Sequence, residues 1–109
     1  MKLTILVIAR DEASVIGQCL DSLRYEQTYD DWSSGKKPLW DELIVVDTGS
    51  SDDTCEIAKQ HGAKIAHFDW VSDFAAARNF AESLATGDYV LWIAADEELV
   101  KGHEIIRTL

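Results

Sequence analysis

The chain has 109 residues, of which 47% are hydrophobic, and this is enough for one domain with a modest core. Ten basic against twenty acidic residues give a net charge of −10, which argues against a nucleic-acid binder because such proteins need clustered Lys and Arg. An anionic ligand would need a metal ion or a few local cations. No run approaches the roughly 18–20 apolar residues of a membrane span and no signal peptide is visible, so we expect a cytoplasmic protein without a membrane span.

Mostly apolar strands alternate along the chain with helices whose apolar residues follow helical spacing. The predicted strands are 2–9, 43–47, 64–68 and 89–95, and the predicted helices are 12–24, 52–61, 73–85 and one that begins near residue 98. The polar and aromatic segment 26–40 is predicted to be a surface insertion in a single domain, 1–109. Its Trp32 and Trp40 either hold the insertion to the body or face a partner.

This alternation predicts an α/β fold with a parallel sheet and right-handed crossovers. We expect a Rossmann-like three-layer α/β/α arrangement in which the strands, numbered along the chain, take the order 3-2-1-4. The fourth strand is predicted to be buried. Its segment 89–93 carries no charge, so an exposed outer edge would favour a homodimer.

The stretch 42–54, ELIVVDTGSSDDT, joins a buried strand to a helix. The strand ends on Asp47, and small polar residues then suit a tight turn. Ser51, Asp52 and Asp53 are all good helix N-caps, and Glu56 lies three residues after Asp53, which is the spacing of a capping box.

Acidic residues follow three of the four predicted strands, at 10–12, at Asp47 and at 96–98. The carboxyl ends of parallel strands share one edge, where ligands bind in open α/β sheets, so we expect one acidic crevice. Clustered carboxylates hold Mg²⁺ or Mn²⁺ together with substrate phosphates. The alternative is that Asp47, Asp96 and Glu97 only cap helices and solvate the ends of loops.

Other kinds of site are poorly supported. The sequence has no glycine-rich phosphate loop, no Walker lysine and no serine nucleophile elbow. His61, His67 and His103 have no zinc spacing and are predicted to be surface or packing residues. Cys19 and Cys55 fit no metal-ligand spacing either, and we expect buried free thiols.

Four motifs, in this order and spacing, resemble those of glycosyltransferase family 2, whose GT-A-fold enzymes use nucleotide-diphosphate sugars. They are ARDE at 9–12, VVDTGSSDDT at 45–54, ARN at 77–79 and WIAADE at 92–97. The similarity covers nearly the whole chain apart from 26–40, and the motifs are specific only in combination.

The resemblance implies roles for individual residues. The end of the first strand at Ala9 and the carboxylate of Asp47 would contact the base and sugar of the nucleotide, and Arg78 would lie near it. Asp96 matches the last aspartate of the family's D-x-D motif, which binds the divalent metal, Mg²⁺ or Mn²⁺, that stabilises the leaving diphosphate. The positions assigned to the donor are Ala9, Arg10, Glu12, Asp47, Arg78 and Ala95, with Asp96 as the metal ligand and Glu12 mainly orienting the loops.

The sequence departs from the family pattern in three respects. Ala94 replaces the first aspartate of D-x-D, which should weaken donor or metal binding, and Asp11 replaces the usual asparagine before Glu12. Family domains are also considerably longer, and their second half carries the acceptor site and the catalytic base. We therefore expect the N-terminal nucleotide-sugar-binding half of a glycosyltransferase, truncated and inactive alone, with no catalytic residue assigned.

Two hypotheses from different classes remain open. The first is a donor-binding domain for a nucleotide-diphosphate sugar, with UDP expected from family frequency and the acceptor unknown. The second is a non-catalytic, degenerate GT-A module kept for binding or assembly. A sugar nucleotidyltransferase is a weaker third hypothesis because the glycine-rich basic loop after the first strand is missing.

Overall fold

The computed structural model describes residues 2–26, 36–69 and 74–96. Strands and helices alternate through most of these ranges. In chain order the elements are β1 (Leu3–Ala9), α1 (Ala13–Asp21), β2 (Arg24–Glu26), β3 (Lys36–Pro38), β4 (Glu42–Asp47), α2 (Thr54–Gln60), β5 (Lys64–His67), α3 (Phe74–Leu84) and β6 (Tyr89–Trp92).

Four of the strands form one parallel sheet in the order β5-β4-β1-β6. In the numbering of the predicted strands this is 3-2-1-4, so the predicted order is confirmed. At the carboxyl edge, Ala9, Asp47 and His67 are register partners on three neighbouring strands. The sheet thus places the ends of β1, β4 and β5 in one row.

Side chains alternate across β1 and β4, which gives the sheet two apolar faces. On one face, α1 and α2 pack over residues that include Ile5 and Val45. On the other face, Ala81 of α3 packs over Leu6 and Val46. The predicted α/β/α layering is therefore confirmed, and residues 5–9 of β1 and 43–46 of β4 are apolar because helices cover both faces of these strands.

The last strand differs from its prediction. β6 covers 89–92 rather than 89–95, and Tyr89 and Val90 are each 42% exposed. Among the described residues it pairs only with β1, so it is an edge strand of the described sheet, as the order 3-2-1-4 implies. The prediction that this strand is buried is wrong. An apolar run indicates that the faces of a strand are covered, but it does not show whether a second strand pairs with its outer edge.

The segment predicted to be an irregular insertion has paired ends. Residues 24–26 and 36–38 form a two-stranded antiparallel ladder, and the N–H of Leu39 donates to the carbonyl oxygen of Leu23 at 2.9 Å. The half-buried Trp40 packs against the α1–α2 core and covers Gly62. The insertion itself stays a prediction, since its middle and Trp32 lie outside the described residues.

The described helices are shorter than predicted. α1 begins at Ala13 and ends at Asp21 instead of continuing to residue 24, because Arg24 already belongs to β2. The helix predicted from residue 98 lies outside the described residues. No helix in the described ranges is long and apolar enough to span a membrane.

Candidate functional site

The loops that follow β1 and β4 are joined directly to each other. The N–H of Asp11 donates to the hydroxyl oxygen of Ser50 at 2.9 Å, and the N–H of Ser51 donates to the carboxylate of Asp11 at 2.7 Å. The N–H of Glu12 donates to the hydroxyl oxygen of Thr54 at 2.9 Å. These contacts connect the two strand ends that sequence reasoning assigned to the nucleotide, and we call them the loop junction.

Asp11 of the loop junction and Gly49, which precedes Ser50, both have positive φ angles. Asp11 has a φ of +52°, a conformation that Asp and Asn adopt more readily than most residues. Gly49 has a φ of +119°, which favours glycine, and the Arg10 side chain lies about 4.0 Å from where a Cβ would stand. The turn after β4 therefore needs glycine at Gly49, and the turn after β1 suits the aspartate at 11.

Asp52 links the starts of two helices. Its carboxylate accepts from the N–H of Ala13 at 3.2 Å and from the N–H of Thr54 at 3.0 Å, and it also bonds the Thr54 hydroxyl. The Thr54 hydroxyl and these N–H groups hold the pKa of Asp52 below its usual value. Since Ala13 begins α1 and Thr54 begins α2, one aspartate satisfies an otherwise unpaired donor of each helix.

The capping box predicted at Asp53 and Glu56 is wrong. Asp53 stands at the N-cap position of α2, but its side chain makes no capping hydrogen bond within the described part of the chain. Asp52 takes the N–H of Thr54 instead. Three adjacent residues, 51–53, have side chains that can cap a helix, so the sequence left open which of them binds the start of α2. Asp52 does so, and it also accepts from the N–H of Ala13.

Asp47 is buried at the carboxyl edge, with 5% of its surface exposed. One carboxylate oxygen accepts from the N–H of Ser50 at 3.0 Å, and the other lies 3.3 Å from Nδ1 of His67. Burial alone would raise the pKa of Asp47, but the hydrogen bonds from Ser50, His67 and Gly49 outweigh it and hold the pKa below its usual value. Asp47 is therefore a fixed negative charge at neutral pH.

Arg78 is held by neighbours on α3 and β6. Its guanidinium lies 4.7 Å from the centre of the Trp92 ring, and its Nε lies 4.0 Å from a carboxylate oxygen of Glu82. The indole N–H of Trp92 donates to the same Glu82 oxygen at 3.3 Å. The cation is thus oriented next to the strand that precedes Ala95 and Asp96.

The turn after β6 carries the altered D-x-D positions. Ala95 is buried with the α1–α2 core, whereas Ala94 and Asp96 are exposed. The Ala94 carbonyl accepts from the thiol of Cys19 at 3.4 Å, which ties this turn to α1. Ala94 offers no side-chain oxygen, so Asp96 is the carboxylate that the described part of this turn presents, and Glu97 and Glu98 lie outside the described residues.

Two residues assigned no ligand role by the sequence lie beside Asp47. Single donor atoms of Asp47, Cys55 and His67 all lie within 4.8 Å of one another. Cys55 is half-buried rather than buried, and burial together with the neighbouring Asp47 raises the pKa of its thiol. The register pairing of β4 with β5 brings His67 to this place, and no motif in the sequence indicates it.

The structure therefore brings together part of the predicted donor site. Ala9 and Asp47 are neighbours on adjacent strands, and the loop junction places Glu12 at the start of α2 through Thr54. Ala95 and Asp96 follow β6 on the other side of β1, at the same edge. The assignment of these residues to a nucleotide stays a prediction.

A parallel α/β/α sheet whose carboxyl edge carries a buried aspartate and a serine-rich turn defines the Rossmann-like class of ligand-binding domains. Within that class, the model of glycosyl transferase family 2 matches residues 4–104. The chain belongs to this family, and its sheet is the N-terminal part of a GT-A fold.

Two relatives in sequence each match about nine-tenths of this chain. A TPR repeat-containing protein of Synechococcus elongatus is 46% identical over 99 residues, which cover 91% of this chain and 21% of that protein. An uncharacterized glycosyltransferase of Rickettsia felis is 38% identical over 100 residues, which cover 92% of this chain and 30% of that protein. The chain thus spans less than a third of the length of either relative.

Solved structures show the same fold. Glucosyl-3-phosphoglycerate synthase of Mycobacterium tuberculosis, in complex with UDP, has a TM-score of 0.67 at 26% identity, covering 88% of this chain and 34% of that one. A second structure of that synthase contains Mn²⁺, UDP and glucosyl-3-phosphoglycerate. S. aureus TarS 1-349 in complex with UDP-GlcNAc has a TM-score of 0.73 at 24% identity, covering 96% of this chain and 29% of that one.

Proposed function

We propose that this chain is the donor-binding part of a glycosyltransferase and binds a nucleotide-diphosphate sugar, with UDP as the nucleotide, at the carboxyl edge of its sheet. The observation that carries the proposal is the buried, ionised carboxylate of Asp47 beside Ala9, which the N–H of Ser50 and the ring of His67 hold in place. The family supports the class of ligand, and the synthase of M. tuberculosis, 26% identical, was crystallised with UDP.

The proposed roles follow from the chemistry of each group. Asp47 accepts hydrogen bonds from the base or the ribose, and the ends of β1 and β6 at Ala9 and Ala95 provide surfaces against which the nucleoside packs. Arg10 and Arg78 place positive charge near a diphosphate in a chain whose net charge is −10. Because Arg78 is already oriented by Trp92 and Glu82, little side-chain entropy is lost when it binds an anion.

The turn at Asp96 offers a divalent cation one carboxylate ligand in place of the two of a complete D-x-D motif. Mg²⁺ and Mn²⁺ are held by one or two carboxylates with substrate phosphates and water as the remaining ligands. Asp96 is exposed and supplies one such carboxylate, while Ala94 supplies none. Asp96 would therefore hold the ion together with the diphosphate, and the ion would stabilise the negative charge of the leaving group.

The second candidate function is a non-catalytic GT-A module for binding or assembly. The alanine at Ala94 favours it, because the position is exposed and an aspartate would fit there without disturbing the core. The two candidates differ in metal-dependent nucleotide binding. Three points stay predictions: the unknown acceptor, the cytoplasmic location and the homodimer through the edge of β6. Sedimentation of the chain beside a Val90→Lys variant tests the homodimer, because a charge on this edge should prevent the pairing.

Calorimetric titration of UDP and GDP, with and without Mn²⁺, tests the proposal. We expect UDP binding that requires Mn²⁺ for full affinity, and that tightens by about tenfold in an Ala94→Asp variant, equivalent to about 1.4 kcal/mol. An Asp47→Asn variant should bind at least about tenfold more weakly, because a hydrogen bond to a charged group contributes about 1.5–3 kcal/mol.

Asp53→Asn is the matched control, because Asp53 is an exposed aspartate of the same loop and should leave the affinity unchanged. Circular dichroism checks that each variant is folded. Equal affinity of the chain and the Asp47→Asn variant would refute the assigned role of Asp47. Absence of nucleotide binding by both the folded chain and Ala94→Asp would favour the non-catalytic module.

A further inference from the structure

The residues around Asp47 contain a second set of ligand atoms that differs in chemistry from the carboxylate at Asp96. Asp47 ends β4, His67 ends β5, and Cys55 lies in the first turn of α2. One donor atom from each side chain lies within 4.8 Å of the other two. Three separate elements therefore converge on one point.

The fold determines this convergence. Asp47 and His67 are register partners on neighbouring parallel strands, and their nearest side-chain atoms are 3.3 Å apart. The turn between β4 and α2 returns the chain over the end of β4, since the N–H of Ser50 donates to the other oxygen of Asp47. Cys55 thereby comes to the same side of the sheet edge as His67.

We propose that Asp47, Cys55 and His67 form a binding site for a transition-metal ion of the Zn²⁺ type. A thiolate, an imidazole and a carboxylate are the ligands that Zn²⁺ takes in proteins, whereas Mg²⁺ and Mn²⁺ prefer oxygen ligands alone. Bond lengths of about 2.0–2.3 Å at tetrahedral angles place neighbouring donor atoms about 3.3–3.8 Å apart. The pair Asp47–His67 already has this spacing, and the Cys55 sulfur lies within 4.8 Å of both donor atoms.

Exposure at the site suits metal entry. The side chain of His67 is 71% exposed and that of Asp47 is 6% exposed, so the cluster opens to solvent on the His67 side. Three protein ligands with one open side are the arrangement of zinc sites that bind a water molecule or a further ligand. The site is therefore an exchangeable one rather than a closed structural site.

This site is distinct from the one proposed at Asp96. In the sheet, β1 lies between β4 and β6, so Asp47 and the turn after β6 are two strands apart, or about 10 Å at the usual strand spacing. Asp47 is nevertheless the residue proposed to contact the nucleotide. An ion at the cluster would occupy the same carboxylate, so nucleotide titrations of this chain need metal-chelated protein as their starting point.

Titration of the metal-free chain with Co²⁺, followed by absorption spectroscopy, tests the proposal without any nucleotide. We expect saturation at one ion per chain, with a thiolate-to-cobalt charge-transfer band and the visible bands of tetrahedral coordination. Addition of Zn²⁺ should remove the spectrum at an equimolar amount, and a large excess of Mg²⁺ should leave it unchanged. A folded chain that binds no Co²⁺, or binds it without the charge-transfer band, overturns the proposal.

Variants identify the ligands. Cys55→Ser should abolish the charge-transfer band, whereas Cys19→Ala, which removes the buried thiol on α1, should retain it. His67→Gln, at an exposed position that tolerates substitution, should weaken Co²⁺ and Zn²⁺ binding by at least about tenfold. Unchanged affinity in His67→Gln, or a charge-transfer band that survives in Cys55→Ser, overturns the assignment of these ligands.

Discussion

Glu42 provides a quantitative test of how the amino ends of the strands are held. Its carboxylate is 8% exposed and lies at the start of β4. It accepts from the hydroxyl of Thr4 at 2.9 Å, from the N–H of Thr86 at 2.9 Å and from Nζ of Lys64 at 3.0 Å. One carboxylate therefore connects β4 to β1, to β5 and to the loop that leads into β6.

The hydrogen bonds to Glu42 set the size of the expected effect. The N–H of Thr86 is the largest cause, and with Lys64 and Thr4 it lowers the pKa of Glu42 from 4.5 to about 2, against the opposing effect of burial. At 1.36 kcal/mol per pKa unit this corresponds to at most about 3.4 kcal/mol of folding free energy. The side chain of Lys64 is 72% exposed and its share is screened, so we expect Glu42→Gln to lose about 2–3 kcal/mol at pH 7.

The sign of the pH dependence follows from the direction of the shift. Because the folded-state pKa of Glu42 lies below the unfolded-state value of 4.5, its contribution is fully present above about pH 5 and is lost as the pH falls towards 2. The difference in unfolding free energy between the chain and Glu42→Gln should thus be constant from pH 7 to about pH 5. It should shrink steadily below that.

Urea unfolding followed by circular dichroism measures this difference. The other carboxylates are the same in both proteins, so their contributions to the pH dependence cancel in the difference. Glu56→Gln is the matched control, since Glu56 is an exposed residue of α2, and it should change the unfolding free energy by at most about 0.5 kcal/mol. A Glu42→Gln variant as stable as the chain at pH 7, or a difference that stays constant down to pH 2, would refute the reasoning.

Three further substitutions test local geometry, each by urea unfolding. Gly87→Ala should lower the free energy of unfolding by about 2–3 kcal/mol, because its Cβ would lie 2.6 Å from the Thr4 hydroxyl oxygen and 2.8 Å from the Thr4 nitrogen. An unchanged urea midpoint would contradict this. Gly17→Ala should raise the free energy of unfolding by about 0.5–1 kcal/mol, because alanine favours a helix and the new Cβ would lie no closer than 3.4 Å, to the Ile57 side chain. A lower free energy of unfolding would show that α1 and α2 cannot adjust. Asp11→Ala should lower the free energy of unfolding by about 1–2 kcal/mol, because it removes the hydrogen bond to Ser51 and places alanine at a φ of +52°. Asp11→Asn should lower it less, and equal losses in the two variants would contradict the role of the side chain.

The sequence was a good guide to the fold where the apolar pattern reports burial on both faces. β1 and β4 were predictable for this reason, and the strand order followed from the connections because right-handed crossovers leave few alternatives. The pattern failed at Tyr89 and Val90, since an edge strand with one covered face has the same short apolar run. It also failed at the capping box, where Asp52 rather than Asp53 binds the start of α2 because it reaches Ala13 as well.

The candidate site was predictable only as far as it depends on motifs. Asp47 could be placed at the carboxyl edge because an apolar strand ends there. The positions of Cys55 and His67 beside it could not be predicted, because they depend on the register of β4 with β5 and on the path of one turn. Register is a property of two segments together, and neither segment contains it alone.

The loop junction gives a physical reason why the ARDE and VVDTGSSDDT motifs belong together. Asp11 and Ser50 are 39 positions apart in the sequence, yet the backbone N–H of Asp11 donates to the Ser50 hydroxyl, and Ser50 in turn donates its own N–H to Asp47. The orientation of the Asp47 carboxylate therefore depends on the turn after β1 as well as on its own. A substitution at Asp11 removes the carboxylate that accepts from the N–H of Ser51, the neighbour of Ser50, so it should reach the ligand edge even though Asp11 itself is exposed. The two motifs thus form one structural unit at the end of the sheet.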